Sequence, residues 1–206
     1  MSILLEDGLP ETLEGVPIYA DFRNMVRFEL ILQDQGLSDA QKARLGLAQL
    51  FAELPPGGAE HAVSLLMWFY LGGKPPAGDG ADGPARRPER AYDFEQDSGR
   101  IYAAFLQAYG INLATVAFLH WWEFLALLEG LPESTAMAQV MQWRTMDLAQ
   151  IKDKGLKAHY AGLKKRYALA DPAARERSVE EITRRNKARV AQRFAQAEQA
   201  KKRPVP

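Results

Sequence analysis

His120 and Glu123 stand three residues apart, close enough to share one helical turn, and Asp93, Glu95 and Asp97 form the nearest acidic cluster upstream. Imidazole and carboxylate side chains at such spacing are the ligands of metal sites built inside helical bundles. Those sites need further ligands, and the paired Glu-x-x-His motifs that supply them are missing here. His61 and His159 are too far along the chain to suggest a cluster. We therefore expect no metal, and we read His120 as a core-edge histidine hydrogen-bonded across helices. Covalent chemistry is no better supplied. Cysteine is absent, and Ser2, Ser38, Ser64, Ser98, Ser134 and Ser178 include no nucleophile elbow. Gly72-Gly73-Lys74 lacks the spacing of a phosphate-binding loop. These residues imply no catalytic group and no cofactor, so the chain is expected not to be an enzyme.

The other notable residues are aromatic. Leu119-His120-Trp121-Trp122-Glu123-Phe124 places two of the four tryptophans side by side within an apolar run from Ile111 to Leu131. We expect one central helix here, opened by Asn112 as N-cap and closed at Gly130. Trp121 would face the core. Trp122 would border it and offer its indole N–H to a carboxylate or carbonyl. Glu123 would share a narrow polar strip with Asn112 and Thr115. The run is nearly long enough to span a bilayer, but His120, Glu123 and Glu129 interrupt it, and charges at membrane depth are costly.

The elements that must hold this helix read as follows. Residues 1–18 form an arm with turn or extended signals at Gly8-Leu9-Pro10 and Gly15-Val16-Pro17. Asp21 caps a helix to about Gln33, with Phe22, Met25, Val26 and Leu30 on one face. Ser38 and Gln41 make a capping box for a helix that Pro55-Pro56-Gly57-Gly58 stops. A third helix runs from about Ala59 to Leu71. Positions 72–91 are rich in Gly and Pro and poor in apolar residues, which reads as a flexible loop. Asp93 or Asp97 caps the next helix, which ends at Gly110. Beyond the central helix, one helix carries Met137, Val140, Met141 and Trp143, and another runs from about Asp147 to Tyr167. Ser178 and Glu181 open a charged helix to about Gln199. No period-two strand signal is present. The expected fold is all-α: a compact bundle of about six helices at 19–170, followed by a basic helical tail at 171–206.

Absence of cysteine suits a reducing cytoplasm, and the first residues lack the pattern of a signal peptide. The formal charge of zero conceals a division. Met1–Ala149 is acidic, with 20 Asp and Glu against 10 Lys and Arg, whereas Gln150–Pro206 carries 16 Lys and Arg against 6 acids. The two parts are suited to attract each other within or between copies, or the tail to reach an acidic partner. Lys164-Lys165-Arg166, Arg184-Arg185, Arg189 and Lys201-Lys202-Arg203 raise nucleic acid as a partner. No recognition helix accompanies them, and charge runs are more often solvated helix faces.

Taken together, Tyr92-Asp93-Phe94-Glu95-Gln96-Asp97, Ile101-Tyr102-Ala103-Ala104-Phe105, Tyr109-Gly110-Ile111-Asn112-Leu113 and the Leu119–Phe124 segment resemble a family of small proteins of siphophages and prophages. Asp21-Phe22-Arg23, Phe28-Glu29 and Trp68-Phe69-Tyr70 fit the same family, so the resemblance spans about Tyr19 to Tyr167. Asn112 stands where the family pattern has Asp, and Met25 where it has an aromatic residue. The family resembles tail assembly chaperones, encoded between the major tail protein and the tape-measure protein. The resemblance implies a non-catalytic helical chaperone in the host bacterial cytoplasm, absent from the mature virion. Its partners would be the tape-measure protein, the tail tube protein and other copies of itself. An exposed subset of Trp68, Phe69, Tyr70, Trp122 and Trp143 would contact the client. Arg184, Arg185 and Arg189 of the tail would contact tube subunits or other copies. The alternatives are a structural virion component (head completion or tail terminator) and a basic DNA-binding accessory protein.

Overall fold

The computed structural model describes residues 8–74 and 90–170, and the architecture is all-α apart from one small hairpin. The hairpin pairs β1 (Thr12–Leu13) with β2 (Val16–Pro17), antiparallel. Its two-residue turn holds Glu14 at φ 49° and Gly15 at φ 80°, the left-handed pair that a tight hairpin needs. Only Leu13 of the hairpin is fully buried, so no alternation was there to betray the strands.

The first helices form where their caps dictate. Asp21 accepts the Arg23 N–H at 3.0 Å and opens α1 (Phe22–Gln33). Ser38 and Gln41 close their capping box on α2 (Asp39–Leu50). Then α3 (Gly58–Tyr70) follows Gly57, which takes the left-handed conformation. Farther along, α4 (Ser98–Tyr109) ends at Gly110 with φ 68°. Next come α5 (Trp121–Glu129), α6 (Ala136–Thr145), a 3-10 turn (Leu148–Gln150) and α7 (Lys154–Arg166). Asp147 and Asp153 each capture a local N–H, which splits the expected 147–167 helix into that turn and α7.

The central helix is shorter than its apolar run. It starts at Trp121, and Asn112 caps only a turn, accepting the Ala114 N–H at 3.0 Å. Long-range pairing overrides apolar continuity. Phe22 N–H donates to the Leu119 carbonyl at 2.9 Å, and Trp121 N–H to the Ala20 carbonyl at 2.8 Å. Arg23 takes the carbonyls of Leu113 and Val116 at 3.0 and 2.8 Å. Backbone held extended at 119–120 cannot also make helical bonds, so the shared strip of Glu123, Asn112 and Thr115 does not form. Among the described residues, no helix is long and apolar enough to cross a membrane.

One core unites β1 and α1 to α6. Phe22, Phe105 and Trp121 each stack on Phe124, at ring separations of 4.8, 5.0 and 5.7 Å. Where α1 meets α2, the backbone approaches Phe28 so closely that a Cβ at Gly46 would lie 2.4 Å from its ring. Phe28 is itself buried and has no room to withdraw. Gly46→Ala is therefore expected to lower stability by about 1–3 kcal/mol in urea unfolding. Gly99→Ala, whose methyl group meets nothing, should leave stability within about 0.5 kcal/mol of the parent.

Candidate functional site

The aromatic residues singled out above separate into two groups. Phe69 and Trp122 lie in the core, sealed from solvent, and so cannot belong to an exposed contact set. Trp68, Tyr70 and Trp143 are half-buried. The burial of Trp122 has a polar cause: its indole N–H donates to the Phe69 carbonyl at 2.8 Å, while that of Trp121 donates to the Tyr70 carbonyl at 2.9 Å. Carbonyls in the last turn of a helix lack intrahelical donors, and two indoles supply them here. Gly73 lies so close that a Cβ there would meet the Trp122 ring at 2.8 Å. Trp68 stands edge-on to Trp122, Tyr70 stacks on Trp121, and Trp143 packs against Tyr167. The Tyr70 hydroxyl donates to Glu29, which also receives Arg90 at 2.9 Å. Arg184, Arg185 and Arg189 lie outside the described residues.

His120 is not the cross-helix histidine that the sequence suggested. It is the N-cap of α5, with Nδ1 accepting the Trp122 backbone N–H at 3.1 Å. Nε2 therefore carries the proton and donates it to the Pro10 carbonyl at 3.2 Å. Burial pushes its pKa below 6.5, outweighing the opposing pull of the Pro10 carbonyl, Glu123 and Glu11.

The carboxylates set beside His120 in the sequence have other partners. Asp97 is fully buried, and its oxygens take Arg144 at 2.6 and 3.0 Å, Arg100 at 2.9 Å and the Asp93 N–H at 3.0 Å. Burial alone would raise its pKa, but the bonds from Arg144, Asp93 and Arg100 outweigh that and hold it below 3.8. Arg144 also donates to the carbonyls of Tyr167 at 2.6 Å and Ala91 at 3.0 Å. Arg144 belongs to no motif, yet its place in the sequence carries a signal. Met137, Val140 and Arg144 occupy i, i+3 and i+7, so the arginine sits on α6's buried stripe. Among the described residues, no three His, Asp or Glu side chains converge as a metal-holding group. What the arrangement does chemically is fix backbone and aromatic rings.

Residues 5–169 match the family described as Bacteriophage Gp15 protein. The chain belongs to that family. It is a phage protein by that membership, and the match ends where the first compact unit of the chain, Met1–Leu169, ends. No curated protein and no solved structure matches the chain. The family region thus contains both the indole-sealed helix end and the Asp97–Arg144 pair, and excludes the basic tail.

Two outcomes follow. Arg144→Met strands a buried carboxylate and is expected to cost about 3–5 kcal/mol in chemical denaturation. The His120 contribution has the sign of a depressed pKa. It is fully present above 6.5 and lost as pH falls through the lower folded value, because the unfolded chain binds the proton first. Unfolding free energy of the parent should fall below pH 6.5 more steeply than that of His120→Asn, a neutral residue able to cap. Equal slopes for the two proteins would refute this.

Proposed function

We propose that this phage protein is a tail assembly chaperone. It binds the tape-measure protein and helps recruit tube subunits while a non-contractile tail is built. Membership of the Gp15 family supports a phage role, and the resemblance to tail chaperones supports the finer reading. The observation that carries the binding claim is a set of large apolar side chains left in solvent around a closed core. Phe118 is 58% exposed at the end of the irregular stretch before α5, and Leu106 of α4 is also exposed. Half-buried Trp68, Tyr70 and Trp143 add aromatic surface that is only partly used inside.

A tape-measure protein is a long helical chain whose apolar stripe must be shielded until tube subunits close round it. Exposed aromatic and aliphatic groups on rigid helices suit such a stripe, which presents anchors at i, i+3, i+4 and i+7. Many weak contacts along one client give avidity without a deep pocket. The protein acts as a binder rather than an enzyme, in the host cytoplasm, and leaves before the particle matures.

Co-expression with the tape-measure protein tests this. The client should be soluble with the chaperone and insoluble without it. Phe118→Ser should reduce co-purified client several-fold while changing stability by under about 0.5 kcal/mol, since the ring is mostly solvated. Unchanged client solubility would defeat the proposal, and a fixed copy number in purified virions would favour a structural component instead.

A further inference from the structure

Among the helices, α7 stands out because none of its residues is fully buried. It lies against α6 and the 3-10 turn, with Tyr167 on the Trp143 ring and Tyr160 and Leu163 half-buried, while Leu156 is 48% exposed. A helix of 13 residues containing Gly155 and Gly162 is marginal by itself. Its cations far outnumber its acids. Between Ile151 and Ala170 stand six Lys and Arg and a single acid, Asp153, whose carboxylate caps α7. Among the described residues, Lys154, Lys157 and Lys165 make no ion pair. Their spacing places them together, on the side of α7 away from Leu163 and Tyr167.

The complementary surface is on the same chain. Glu11, Glu14, Glu53 and Glu60 are all exposed. The fold gathers them: Ile18 bridges Phe51, the Tyr19 N–H donates to the Leu50 carbonyl at 2.8 Å, and Glu14 meets His61 at 2.9 Å. Tyr19 and Leu54 lie in this acidic region, 52% and 57% exposed. One surface is basic, and the other is acidic with an exposed tyrosine and leucine.

We propose that α7 of one copy docks on the Tyr19–Leu54 surface of a second copy, with Lys154, Lys157 and Lys165 facing its glutamates. Two different patches make a head-to-tail contact, which repeats as a ring or an open helical array. This contact does not require the client: capture of the tape-measure protein is read by co-expression, and self-association by mass in solution, so either can fail alone.

Sedimentation equilibrium of the full chain, nuclease-treated, decides it. Association should rise with protein concentration and weaken as salt goes from about 50 to 500 mM, because exposed charges are screened. Lys154→Glu with Lys157→Glu should weaken association by about tenfold or more, and so should Glu53→Lys with Glu60→Lys. Mixing the two double variants should restore association, which neither a folding defect nor a tail-mediated contact would allow. A monomer under all conditions overturns the proposal. So does association unaffected by the variants, or association that nuclease abolishes.

Discussion

The indole N–H groups of Trp121 and Trp122, set on the carbonyls of Tyr70 and Phe69, are the interaction on which the rest depends. They close the end of α3: the Trp121 indole pairs the Tyr70 carbonyl, and that of Trp122 joins the Gly72 N–H on the Phe69 carbonyl. In doing so they fix the rotation of α5, because two adjacent side chains reach two adjacent carbonyls only in one orientation. That orientation turns Phe124 toward Phe22 and Phe105, and so brings α1 and α4 onto the same aromatic stack. The cap of α5 is set by the same requirement. His120 must stay neutral and extended to receive the Trp122 N–H, and its other nitrogen secures the arm at Pro10.

A second set of contacts, ionic rather than aromatic, holds the later helices. Arg144 reaches Asp97 at the start of α4, Ala91 before it and Tyr167 at the end of α7. One guanidinium thus joins three parts of the chain, and its charge is balanced by a carboxylate that has no water to turn to. Arg90 extends the set outward through Glu29 and Asp93. Burial raises the Tyr92 hydroxyl to about 12, with Glu29 and Glu129 adding to the effect, so the ring beside this set remains neutral.

What the sequence revealed depends on the range of the interaction. Asp21, Ser38 with Gln41, and Gly110 act within one helical turn, and their roles were legible from neighbours alone. The stretch from Ile111 to His120 departs from the expected helix because its conformation is decided by Ala20, Phe22 and Arg23, far upstream in the chain. An apolar run says that residues are buried, not that they are helical. The hairpin was too short to show alternation, and Arg144 was hidden among apolar neighbours. Among the candidate contact residues, type alone could not separate Phe69 and Trp122, which the core consumes, from Trp68, Tyr70 and Trp143, which it uses only in part.

The pairing of the N-terminal part with Asp21-proximal and Pro10-proximal bonds spans 98 and 110 residues of chain. Synthesis proceeds from the N-terminus at roughly 5–20 residues per second. Phe22 and Phe69 therefore leave the ribosome seconds before Phe124 and Trp122, the rings that stack on them. A nascent chain halted short of residue 122 holds the apolar surface of the core without its lid. The core thus begins open to solvent and closes only once the α5 tryptophans have emerged.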